Sequence, residues 1–154
     1  MGSTTTLKEM IKVEEKNNEC DTCMGRESPE QIKKWLDAVG FYVHFIIGEP
    51  FNYHTHGLEQ SFDHLDLQIA FPLPREVAMP IINTLVGLIK SGQEIKDGMI
   101  LFNIIRDYCV KAYKTIEDGR SVIRILLPDV RGMFPDDIRC DDAYKIQMYD
   151  EMDY

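Results

Sequence analysis

Two β-prone runs, Val110–Ile116 and Ser121–Leu127, are separated only by Glu117-Asp118-Gly119-Arg120. An Asp-Gly pair between such runs is a strong hairpin signal, because both residues tolerate the positive φ angles of the tight turns that match strand twist. The two runs must then pair antiparallel, and the rest of the fold has to accommodate that ribbon. Other segments agree. Phe41–Ile47 is rich in aromatic and β-branched residues and predicts a strand. Gly48-Glu49-Pro50 turns it, and Phe51–Leu58 predicts its partner. Leu65–Phe71 is a third such segment, with Leu65, Leu67 and Ile69 on one face. Pro72 and Pro74 close it.

Two helices stand out. Ser28-Pro29-Glu30-Gln31 carries a capping residue, a proline suited to the first turn and a glutamine at the capping-box position. Ile32, Trp35 and Leu36 follow as an apolar stripe, and Gly40 ends the helix. Arg75–Lys90 places Val77, Ile81, Leu85, Leu88 and Ile89 on one face before Ser91-Gly92. Pro80 inside that pattern is expected to kink the helix or reset its start. Leu7–Lys16 suggests a short helix, Met99–Tyr108 fits helix or strand equally, and Val130–Pro135 is irregular. The expected class is α+β: a mostly antiparallel sheet of about five strands with two main helices packed on it. The expected organisation is a polar N-terminal extension (1–27), one α+β domain (28–148) and an acidic tail (149–154).

A chain of 154 residues, 44% apolar, suffices for one globular core. The net charge of -9 argues against a nucleic-acid surface, which would gather Lys and Arg on one face, and against docking on anionic lipid. Residues 136–154 alone carry a net -5, which fits a solvated tail before it fits an arm for a basic partner. No apolar run has bilayer-spanning length, and the N-terminus lacks the basic flank and apolar core of a secretory signal. Cys20 and Cys23 have zinc-knuckle spacing, but Cys109 and Cys140 form no second pair. Reduced thiols in a cytoplasmic protein are the default reading.

All four histidines lie between residues 44 and 64. His54 and His56, two apart on a strand, share one face, and their backbones lie about 7 Å apart by strand rise. Such a pair can share a divalent transition metal such as zinc, with His64 or Asp66 completing a three-ligand set and leaving one position open. Bound water there would become a nucleophile at neutral pH. Against this, histidines at strand ends often serve only backbone carbonyls or a carboxylate, and Asp63 or Asp66 would hold His64 in one tautomer. His44, alternating with Val43 and Phe45, is expected to be a buried strand residue. Asp129–Pro135 is constrained by Pro128, Gly132 and Pro135; besides a plain structural loop, it could fold over the His strand and wall a pocket with Asp129 and Arg131 as its polar groups.

Three segments together resemble the bacterial and phage family catalogued as domain of unknown function 4262. They are Tyr53-His54-Thr55-His56-Gly57-Leu58; Asp63-His64-Leu65-Asp66-Leu67 with Leu73-Pro74 and Ile82-Asn83; and Leu127-Pro128-Asp129-Val130-Arg131-Gly132-Met133-Phe134-Pro135-Asp136. Their order and spacing agree with the family over about residues 35–148. Asp63, Leu65 and Asp136 depart from it, standing where the family has glycine, proline and tryptophan. The resemblance implies that His64 is the motif histidine. It counts against metal at His56, whose position is often apolar in relatives. It implies no activity, since the family has none established.

The chain has no Gly-x-Ser-x-Gly elbow and no glycine-rich phosphate loop. The leading expectation is a non-catalytic binding module, taking a small molecule or a protein partner. Its candidate residues are Tyr53, His54, His56, His64, Asp66, Asp129 and Arg131, and no cofactor is required. The alternative is a metal-dependent hydrolase built on His54, His56 and His64.

Overall fold

The computed structural model describes residues 11–14, 29–46, 52–117 and 119–149. The Cys20/Cys23 pair, the expected turn at 48–50 and residues 150–154 of the acidic tail lie outside them. By backbone contacts the chain divides into two compact units, Met1–Asp66 and Leu67–Tyr154.

The first unit contains β1 (Ile11–Glu14), α1 (Pro29–Val39), β2 (Tyr42–Ile46), β3 (Asn52–His56) and the short α2 (Leu58–Phe62). β2 and β3 form the expected antiparallel hairpin, pairing Tyr42 with His56, His44 with His54 and Ile46 with Asn52. On the other face Phe45 stacks on Tyr53, with ring centroids 4.1 Å apart and planes 3° from parallel. β1 corrects an expectation. Residues 11–14 are a strand lying parallel to β2, not part of a helix. A segment this short has little helix stability of its own, so backbone pairing with a neighbouring strand decides its form.

α1 begins at Pro29 as its first turn predicts, and the Gly40 N–H donates to Leu36 O to close it at 2.8 Å. Trp35 is buried and sits over Tyr42, with ring centroids 5.7 Å apart. Between β3 and α2 the chain turns at Gly57, whose φ is +108°. Asp66, buried below the turn, braces it: its carboxylate accepts from Thr55 Oγ1 at 2.7 Å and from the Leu58 N–H at 3.1 Å.

The second unit holds β4 (Asp66–Ile69), whose first residue belongs to the first unit, then α3 (Arg75–Lys90), β5 (Ile100–Ile105), β6 (Tyr108–Glu117), β7 (Arg120–Leu126) and a 3-10 helix (Asp142–Met148). The strands run in the order β4-β7-β6-β5. The expected β6–β7 hairpin is present, with Glu117 paired to Arg120. Met99–Tyr108 resolves as a strand and turn, with β5 antiparallel to β6. α3 keeps its predicted span, and Pro80 neither ends it nor resets its start. Its buried face is Ala78, Met79, Ile81, Ile82, Leu85, Val86 and Ile89, turned by about one residue from the predicted stripe, so Val77 is exposed. Buried Arg124 of β7 donates to Gln68 Oε1 and to Gln147 O, both at 2.7 Å. The Gln147 side chain in turn bonds both backbone groups of Leu127, tying the 3-10 helix to the sheet.

The α+β class and the two principal helices stand. Seven strands are found among the described residues rather than five, and the β1–β2 pair makes the pairing mixed.

At Gly57 the turn admits no side chain. A Cβ there would lie 2.5 Å from Leu36 Cδ2 and 2.8 Å from Gly40 O, in a backbone conformation that L residues rarely adopt. Gly57→Ala should therefore destabilise the protein by about 2–4 kcal/mol, combining backbone strain with overpacking. Urea unfolding measures this; a loss below about 0.5 kcal/mol, the range of a neutral surface change, would mean that the turn relaxes freely.

Candidate metal centre

Within the first unit, the hairpin register gathers three imidazoles on one face. His54 and His56 project together from β3, and His44 comes from β2 directly opposite His54. Ring centroids are 4.9 Å apart for His54 and His56, 5.3 Å for His44 and His54, and 6.5 Å for His44 and His56. One ring nitrogen from each lies within 4.8 Å of the other two. Nitrogens bound tetrahedrally to zinc at about 2.0–2.1 Å from the metal stand roughly 3.3 Å apart, so small ring movements would close the set.

The surroundings suit a ligand set. His44 and His54 are 0% and 2% exposed, and His56 is half-buried. Tyr42 stacks on His56 at 5.2 Å, with Trp35 beyond it, so an aromatic column from α1 and β2 lines this end. Buried Asn52, two residues before His54 on the same face, places its Oδ1 2.7 Å from His54 Nδ1. Accepting the Nδ1 proton would direct the Nε2 lone pair away from Asn52, toward a shared ion. Metal-ligating histidines are usually oriented by an outer hydrogen bond of this kind.

The structure redistributes the candidates read from the sequence. His54 and His56 belong to the cluster. Their third member among the described residues is His44 rather than His64. His64 instead has its Nδ1 2.8 Å from the carbonyl oxygen of Leu65. Tyr53 is buried on the opposite face of the hairpin, against Phe45. Asp66 is occupied with Thr55 and Leu58. His44 was legible in principle. Counting outward from a hairpin turn centred at position 49 sets position 44 against 54, the pairing observed.

Asp129 and Arg131 lie in the second unit, and Asp129 acts as a staple for its own loop. Its carboxylate is fully buried and accepts from the backbone N–H groups of Arg131, Met133 and Asp141, each at 2.9 Å. Burial alone would raise its pKa, but these donors and the Arg131 guanidinium outweigh it and hold the carboxyl below the usual range. Burial, together with the Asp129 charge and a hydrogen bond to it, pushes the Cys140 thiol up. The loop walls a cavity with β5 and the β5–β6 turn, and no histidine lines that cavity.

Compared with known protein families, curated proteins and solved structures, the chain matches none. Among the described residues, no helix is long and apolar enough to cross a membrane.

The Asp129 staple has a pH signature. A carboxyl with a depressed folded-state pKa contributes stability above its unfolded value, near 3.9, and loses it as pH falls through the folded value. In Asp129→Asn an amide nitrogen replaces one acceptor oxygen, so the variant should unfold at lower urea concentration at neutral pH. The gap to wild type should be constant down to about pH 4 and then shrink on further acidification. Paired urea titrations from neutral to strongly acidic pH measure it; a gap independent of pH would show that the charge contributes nothing.

Proposed function

We propose that the protein is a non-catalytic binding module whose ligand is a divalent transition metal such as zinc, held by His44, His54 and His56. The observation that carries this reading is the convergence of three ring nitrogens within 4.8 Å at a largely buried place. The Asn52 contact with His54 Nδ1 supports it, because it favours the ring orientation a metal ligand needs. A bound ion would add bonds across the β2–β3 hairpin and so couple metal binding to folding stability.

A hydrolase on the same three residues is the second reading. Three neutral ligands leave one coordination position for water, which zinc would activate. The burial of His44 and His54 favours holding the ion over turnover, since a substrate must reach that open position. The resemblance to the family of unknown function 4262 remains a proposal about ancestry and supplies no activity of its own.

Elemental analysis of protein purified without a histidine tag should find close to one transition-metal equivalent per chain. Zinc at about 1,000 times its Kd should stabilise the metal-free protein by about 4 kcal/mol against urea. His44→Ala should lose most of this gain, whereas His64→Ala should keep it. Asn52→Ala should weaken affinity roughly 10–100-fold, the usual cost of losing an orienting partner. Less than a tenth of an equivalent bound, with no zinc stabilisation, would sink the proposal. Equal losses in the His64 and His44 variants would instead restore the ligand set read from the sequence.

A further inference from the structure

The second unit carries an apolar groove unrelated to the histidines. It is a cavity of about 530 Å³ between β5, the β5–β6 turn and the loop after Pro128. That size falls within the range of about 300–1,000 Å³ typical of small-molecule sites. Four of the eight large apolar side chains exposed among the described residues line it: Ile100, Phe102, Tyr108 and Val130. Phe102 and Val130 are each 68% exposed. Exposed apolar side chains gathered around one concavity offer contact area to an apolar ligand.

Its walls are held in place before any ligand arrives. The Asp129 carboxylate ties down the backbone of the loop from below. Tyr108 Oη donates to Val130 O at 2.9 Å, and Lys111 pairs with Asp136 at 2.6 Å, so the loop is also fastened to β6. A wall fastened in advance loses little entropy when a ligand is ordered against it.

The charges select the ligand. Arg131 lines the groove, but its guanidinium faces Asp129 at 3.5 Å and Asp141 at 3.6 Å and donates to Arg139 O. Its charge is compensated within the loop. Asp107, at the β5–β6 turn, also lines the groove, and its carboxylate makes no ion pair among the described residues. The chain's net charge of -9 adds a field of the same sign. Phe102 and Tyr108 supply aromatic rings, whose faces attract cations, while the Phe134 ring already has the Lys111 ammonium 5.9 Å from its centroid.

We propose that this groove binds a hydrophobic organic cation, an apolar body carrying an ammonium group, with Asp107 as counter-ion and Phe102 as the principal apolar contact. The proposal is independent of metal binding.

Hexylamine, hexanol and hexanoate have matched tails and differ in head-group charge. Each is titrated into isotopically labelled full-length protein and followed through its backbone amide resonances. Hexylamine should bind in the millimolar range expected for so small a ligand, shifting amides of residues 100–109 and 130–134. Hexanol should bind roughly fivefold more weakly and hexanoate more weakly still, given the size of exposed ion-pair and cation–π contributions. Asp107→Asn retains a residue tolerant of the positive φ at that position, and should bring hexylamine down to the affinity of hexanol. Phe102→Ala, at an exposed site, should weaken all three ligands. Saturable shifts absent for hexylamine, or mapping elsewhere, would overturn the site. Hexanoate binding as tightly as hexylamine, or Asp107→Asn leaving hexylamine affinity unchanged, would overturn the assigned ligand class.

Discussion

The register of β2 against β3 decides what the first unit can do. Side chains alternate across a strand, so shifting one strand by a single residue would carry its whole set to the other face. As paired, Tyr42, His44, Asn52, His54 and His56 share one face, and Val43, Phe45, Tyr53 and Thr55 share the other. The Phe45–Tyr53 stack holds that register from one side. From beyond the strand end, Gly57 lets the chain turn tightly beneath Leu36, and Asp66 secures Thr55 and the start of α2. Each of these contacts serves the hairpin, and the convergence of the imidazoles follows from it.

Burying polar groups costs stability unless they find partners, and three such places among the described residues bear on the sites. Asp129 is surrounded by backbone N–H donors of its own loop. Arg124 is met by the Gln68 side chain and a main-chain carbonyl. Both arrangements mix donors and acceptors and act to hold segments together. The histidine cluster is built differently. Three side chains of one kind, each able to present a nitrogen lone pair, face one another across a strand pair. That chemistry suits an ion better than it suits a purely structural network.

The groove beside β5 follows another logic. Its outermost strand contains a register irregularity and a positive φ at Asn103, features that interrupt an edge and discourage indiscriminate strand pairing. Apolar side chains that could not be buried in the unit's core are gathered there, against a loop stiffened by an internal carboxylate. A rigid wall, an exposed aromatic and one uncompensated acid amount to selectivity for charge sign and for an apolar body.

Local chemistry was legible in the sequence alone. The hairpin around Gly119, the strand at 42–46, and the helices from Pro29 and Arg75 all follow from side-chain periodicity and from residues whose backbone preferences act within a few positions. The nature of the histidine face was legible too, because His54 and His56 alternate on one strand. What lay beyond reach depended on partners distant in sequence. Residues 11–14 became a strand through pairing with β2, and Ile100–Ile105 did so through pairing with β6. The exposure of Val77 came from how α3 turned on its neighbours. The choice of His44 over His64 likewise rested on which strand lay beside β3 and in what register. The sequence by itself determined the two long helices, the two hairpins and that His54 and His56 would share a face. Only the tertiary structure decided which three would meet, because meeting is set by cross-strand register rather than by distance along the chain.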